Sequence, residues 1–547
     1  MRGDDATRMP EKLANKKIFA VIELAALYML ARRSEAELIL QSIRWQIAQN
    51  KSRMWNDVAC YNFFMLIDAA PFSRIWKSLH PNARSTNGIL AIINLLERRF
   101  GAKFVYDISR FPLKKEVLLS LFEIAEQFRE AGIIRSFGSA ESMSDEPQYK
   151  QWHVVCATTN RHIAGGMSAK DDHQALIAAL AEGLERYIWF EMIDYFKTPR
   201  VANVREILSN GSAILPEHFA GFSSEQRARK SRLTLREDAE YLWIQGQSLT
   251  ACAPIWLPAQ VVSGAHGGKN FHAQKGEPII ITPITTGLAT GPTVEFARLG
   301  GILEIIERDA FMITWLNQLT PTRIDLQALR SSTTDLDTLL RMCERYRLQV
   351  EVIRLPTDAP AYSVCAIVRD ASPVGPSVTL GLRADRRLAH AAESAILEAL
   401  RMRYSIRYRL AAGTFGGNKQ KETVNHADRA DYWTVGNRHT MLDFLTIGNT
   451  SAEMREPWEN DSEKEHLDRI LNWCRKVGYE AATVDLGRSK RNVSPWHIEM
   501  LVIPELLPIH QNERLPYTES PRIRTVPAMF GYEPRPTPYL DEPHPFA

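Results

Sequence analysis

The pentad Glu-x-x-Glu-Arg occurs twice in this chain, each time inside a long apolar stretch: Glu304-Ile-Ile-Glu307-Arg308 within residues 285–315, and Glu182-Gly-Leu-Glu185-Arg186 well upstream. Residues three apart on a helix share a face, so each pentad projects both carboxylates to one side while Ile305 and Ile306 turn into packing. Two like charges held that close are costly unless positive charge lies between them. A divalent cation such as Mg²⁺, which prefers hard oxygen ligands, meets that need and can in turn hold phosphates. A solvated helix face accounts for one such pair. Its recurrence, and a third acid-and-base helix carrying Glu398, Arg401 and Arg403, point instead to one shared site.

Around these helices the chain divides in two. Residues 17–99 repeat apolar positions at three- and four-residue spacing, which predicts a small all-helical N-terminal domain over residues 1–110 without a chemical motif. Residues 111–547 read as a larger α+β body, a layered mixture of helices and strands. Helices are expected at 115–131, 171–194, 386–410 and 467–477. Strands are expected at 152–157, 241–245, 278–282, 350–354, 363–368, 377–381, 481–485 and 496–503. The loop Ser263-Gly-Ala-His-Gly-Gly-Lys-Asn270 invites a phosphate-loop reading. Ser263 replaces the required first glycine and Asn270 the magnesium-binding hydroxyl, so it reads as a surface turn. Residues 414–461 form a polar excursion with a helix near 441–445. The tail alternates prolines, Pro534-Arg-Pro536-Thr-Pro538, and ends in Pro543-His544-Pro545-Phe546-Ala547, an extended segment poor in backbone donors.

Charge and cysteine usage exclude several classes. Lys and Arg number 67 against 64 Asp and Glu, without the basic excess that nucleic-acid binding requires. The cysteines at 60, 156, 252, 343, 365 and 474 stand singly. That spacing argues against a structural zinc site or a disulfide framework and fits a reducing cytoplasm. The longest apolar run, 18–31, contains Glu23 and falls short of the roughly 20 residues of a membrane span. A cytoplasmic protein without membrane contact is expected.

Read together, AALAEGLERY (178–187), WLPAQVV (256–262), TTGLATGPT (285–293), ILEIIERDAF (302–311), AILEALRMR (395–403), VNHADRADYW (424–433), the run at 504–527 and the proline tail resemble the YcaO family. The likeness is to the azoline-forming cyclodehydratases of thiazole/oxazole-modified peptide pathways. It implies ATP and Mg²⁺ bound without a phosphate loop: Glu182, Glu185, Glu304 and Glu307 on the metal, Arg186 and Arg403 on phosphoryl oxygens, and Glu398 orienting the set with Arg401 beside it. Met167 stands where the family usually has lysine, Ala178 where it has serine, Pro292 and Phe296 where Asn and Glu are frequent, and Arg401 in place of a frequent Gln. The implied reaction is cyclodehydration of Cys, Ser or Thr in a ribosomal precursor peptide, presented by a leader-peptide-binding partner protein. A homodimer is compatible with the resemblance. The tail residues Pro543, His544, Pro545 and Ala547 are implied to reach the catalytic site. An inert YcaO-like scaffold, or a relative forming thioamides or amidines, remains an alternative.

Overall fold

The computed structural model describes residues 121–547 apart from 122–123, 126, 141, 159–161, 192–198, 265–275, 373–374, 413–425, 435–437, 452–454, 488–495 and 547. The helical domain expected over 1–110, residues 265–270 of the glycine-rich loop, and Ala547 lie outside the described residues. Residues 121–547 form one compact unit.

Three sheets carry the architecture. The first is an antiparallel meander of β1 (Ile134–Ser139), β2 (Lys150–Cys156) and β3 (Ile163–Ser168), covered by helix α1 (Asp172–Glu191). The second is built on β4 (Arg200–Ala202), β5 (Tyr241–Ser248), β6 (Ala253–Pro258), β7 (Leu288–Gly291), β13 (Ala482–Asp485) and β14 (His497–Val502), in the order β4-β5-β13-β14-β7 with β6 paired to β5. The third runs β11-β10-β9-β8-β12, from β8 (Thr322–Ile324), β9 (Gln349–Arg354), β10 (Tyr362–Arg369), β11 (Val378–Asp385) and β12 (Thr450–Ser451).

Helix α2 (Val294–Asn317) is the shared element: it packs on β14 and β7 of the second sheet and on β11 and β10 of the third. Its first turn is capped by Thr293, whose hydroxyl accepts the Phe296 N–H at 3.2 Å, and it ends where Gln318 turns left-handed at φ 51°. Leu299, Ile302 and Ile306 meet Leu467, Ile470 and Cys474 of a following helix (Glu463–Val477) together with Leu501 and Ile503. Burying each large aliphatic side chain contributes about 2 kcal/mol, so the apolar faces hold α2 rigidly enough to carry charges into the interior. Helix α3 (Leu388–Ala411) lies on β11 and β10, with Ala391, Ala392, Ala395 and Ala399 against Val364 and Ala366. Helix α4 (His426–Thr434) follows it, and α5 (Arg522–Met529) precedes the tail.

The expected strand at 278–282 does not form. There the Gln260 side chain substitutes for a neighbouring strand, donating to the Pro278 carbonyl at 3.0 Å and accepting the Ile280 N–H at 2.8 Å. Strands β1, β3 and β7 arise where none was expected, because glycines break their apolar pattern. In β3 that break is structural: a Cβ on Gly166 would collide with the Ala175 carbonyl of α1, so glycine permits the close seating of helix on sheet. Among the described residues no helix is long and apolar enough to cross a membrane.

Candidate functional site

Helices α1, α2 and α3 converge, and each delivers its acids in the same way. The Gly165 N–H donates to Glu182 at 2.9 Å, the Gly287 N–H to Glu304 at 3.2 Å and the Leu382 N–H to Glu398 at 2.6 Å. In every case the donor belongs to the segment that leads into the helix. Glu307 is held by the Ala384 N–H of β11 at 3.1 Å. Backbone amides thus fix one oxygen of each carboxylate. Gly287 adopts φ +92°, a left-handed turn that glycine accepts without steric cost.

Three arginines contact Glu182, Glu304 and Glu307. Arg186 pairs with Glu182 at 3.2 Å, and Arg401 of α3 reaches the same carboxylate at 3.5 Å and the Gly165 carbonyl at 3.4 Å. Arg308 lies 3.4 Å from both Glu304 and Glu307. Glu185 is different: among the described residues no lysine or arginine pairs with it, and its polar neighbour is Thr290 of β7. Burial pushes Glu185 up to about 8, and the charges of Glu182 and Glu304 push the same way. Burial likewise raises Glu304, Glu307 and Glu398, against the pull of Arg308. For Glu182 burial is outweighed by Arg401 and Arg186, which hold it below the usual range. Five acids therefore share three contacting guanidiniums. The side chains of Glu182 and Glu304 keep 21% and 29% of their surface exposed, so the cluster opens to solvent on that side. This donor set fits divalent cations carrying a phosphate chain: hard oxygens, an excess of acid, and arginines at the rim.

The fold brings Glu182, Glu185, Arg186, Glu304, Glu307, Glu398 and Arg401 into one neighbourhood. Arg403 does not. It is buried and bound to Glu146 at 2.9 Å and Asp370 at 2.7 Å, in a network shared with Arg407. Helical phase explains the separation, since two residues along α3 turn the side chain to the opposite face. Arg308 takes a central place that the pentad contained but the sequence reading left without a role. Of the family departures, Met167 packs against the core, Ala178, Pro292 and Phe296 are exposed, and Arg401 adds positive charge to the site.

The last described residues of the tail turn inward. Pro543, His544, Pro545 and Phe546 are buried, and the Phe546 ring lies 4.2 Å from the Arg308 guanidinium, on the arginine that pairs with Glu304 and Glu307.

Glutamates borne on three helices of a layered α+β body thus meet in one cluster. The chain belongs to the YcaO family, its residues 168–507 matching the family model described as YcaO cyclodehydratase, ATP- and Mg²⁺-binding. Among solved structures, a heterocyclase in complex with substrate and cofactor aligns over 77% of this chain and 57% of its own length, with TM-score 0.61 and 18% identity. YcaO from Methanopyrus kandleri, bound with AMPPCP and Mg²⁺, aligns over 71% of this chain and 91% of its own, with TM-score 0.50 and 16% identity. An uncharacterized protein of Methanothermobacter thermautotrophicus is 25% identical over 158 residues; the match spans 28% of this chain and 38% of that relative.

Proposed function

We propose that this protein is an ATP-dependent cyclodehydratase that converts Cys, Ser or Thr residues of a ribosomal precursor peptide to thiazolines or oxazolines, with a partner protein binding the leader segment. The observation that carries this reading is Glu185, raised by the neighbouring charges of Glu182 and Glu304 and paired with no lysine or arginine among the described residues. Such an arrangement is unfavourable by itself and becomes favourable around a cation. Glu182, Glu185, Glu304 and Glu307 would hold Mg²⁺, while Glu398 keeps the third helix in register through its bond to Leu382. Arg186, Arg308 and Arg401 offset the negative charge at the rim. When bound, Mg·ATP supplies the phosphoryl group that turns the peptide's amide oxygen into a leaving group. The protein's share is positioning and electrostatics. Rigid helices hold the acids in place, and the buried tail closes one wall of the crevice, limiting water at the reacting carbonyl. The membership of an ATP- and Mg²⁺-binding family and the likeness to a heterocyclase solved with substrate and cofactor support the reading.

The test combines protein, Mg·ATP, the peptide encoded beside it and the leader-binding partner, and follows the peptide by mass spectrometry. Loss of one water per ring, dependent on ATP, is expected. Calorimetry with Glu304→Ala should give no Mg·ATP binding. An unchanged peptide mass with a demonstrably active partner, or unaltered nucleotide binding by the variant, would refute the assignment.

A further inference from the structure

Away from the carboxylate cluster, a set of ionisable groups surrounds residues 542–546. Helix α4 contributes three contacts: the Tyr432 hydroxyl to Glu542, the Trp433 indole N–H to the Pro543 carbonyl at 3.2 Å, and Arg429 to Glu513 at 2.7 Å. The run at 504–527 contributes the rest. His544 Nε2 lies 2.9 Å from the His510 carbonyl and 3.6 Å from Glu513, and His510 Nε2 lies 2.8 Å from the other Glu513 oxygen. A carbonyl only accepts, so His544 donates from Nε2. Arg429 has no exposed side-chain surface and also bonds the His510 and Gln511 carbonyls. On the far wall Phe311 meets both His544 and Phe546 edge to face, at 6.1 and 5.9 Å.

His510, Glu513 and His544 bring ligand atoms within 4.8 Å of one another, close enough for a metal ion. Arg429 argues against one: its guanidinium already occupies Glu513, and a second buried positive charge there would be repelled. The same carboxylate instead joins the two walls of the groove to the tail.

We propose that Glu513, oriented by Arg429, is a positioning residue that latches residues 542–546 into this groove with Trp433, and so seats Phe546 on Arg308 beside Glu304 and Glu307. The latch touches no nucleotide; it acts through the tail. Its catalytic consequence rests on the cyclodehydratase reading above, whereas tail seating can be measured without turnover.

The experiment uses the full-length protein with Trp433→Phe and Glu513→Gln, which remove single hydrogen bonds or one charge and preserve shape. Carboxypeptidase Y trimming through Phe546, followed by intact mass, reads tail release. Mg·ATP affinity is measured by calorimetry, and kcat and KM for the peptide are determined separately. Both variants are expected to be trimmed roughly five- to tenfold faster, Trp433→Phe through loss of its buried hydrogen bond to Pro543 and Glu513→Gln through loss of the charge that faces His544. Their kcat should fall by a similar factor with Mg·ATP affinity unchanged; the melting midpoint should hold in Trp433→Phe and fall in Glu513→Gln, which leaves the buried Arg429 guanidinium without its carboxylate. A tail that stays protected in both variants overturns the latch, as does a fall in nucleotide affinity that accompanies release. A wild-type protein that forms no rings would defeat the functional reading, leaving trimming to decide the latch.

Discussion

Replacing Glu185 by Gln should make the ligand-free protein more stable, in a direction that depends on pH. The acid is raised from its ordinary value of 4.5 to about 8, so the folded state binds its proton more tightly than the unfolded chain does. The stability this contributes is fully present below pH 4.5 and is lost as pH rises through 8. At about 1.4 kcal/mol per pH step, a fully enclosed carboxylate would cost the fold about 5 kcal/mol by pH 9. The neighbouring Glu182 and Glu304 side chains are partly exposed to solvent, which reduces the figure to about 1–2 kcal/mol. Thermal unfolding of wild type and Glu185→Gln at pH 5 and pH 9, each with and without Mg²⁺, tests the argument. The two proteins should nearly coincide at pH 5. At pH 9 without metal the variant should melt about 2 °C or more above wild type, and Mg²⁺ should raise wild type while leaving the variant little changed. A variant less stable than wild type at pH 9, or equal stabilisation of both by Mg²⁺, would refute the view that Glu185 waits for a cation.

Other substitutions probe the supports of the site. Arg522 of α5 binds buried Asp309 at 2.7 Å and Asp358 at 2.7 Å; Arg522→Met strands a buried charge and should cost about 3–5 kcal/mol in urea unfolding. Gly287→Ala combines a positive φ with a collision against the Leu501 carbonyl, so it should lose about 1–3 kcal/mol and weaken Mg·ATP binding by moving the amide that holds Glu304. Phe546→Leu keeps an apolar plug but removes the ring over Arg308; turnover should fall roughly five- to tenfold, the worth of a partly buried cation–π contact, with the melting midpoint within a degree or so.

The acids of the site were legible because their chemistry is local: two carboxylates three residues apart on an apolar helix state their face and their need for a cation. Arg308 was legible in type but not in place, since its neighbours include Phe546, which arrives from the far end of the chain. Arg403 is the opposite case. Its spacing from Glu398 matched the motif, yet its partner Glu146 lies in a segment between β1 and β2 that no local pattern connects with α3. Trp433 and Glu513 stood inside quoted motifs, and only the fold brings them to the tail. The larger strands followed from alternation or apolar runs. Strands β3 and β7 were hidden by the glycines that let helices sit close on them.

The amide bonds to Glu182, Glu304 and Glu398 have a consequence for how the chain can vary. Each acid is tied to a donor sixteen or seventeen positions before it, so the intervening stretch works as a ruler whose length sets where the oxygen stands. Inserting or deleting one residue between 165 and 182, 287 and 304, or 382 and 398 would swing the acid by about 100° around its helix. Changes of length should therefore accumulate elsewhere, while these three intervals keep their count even where most of their residues are exchanged.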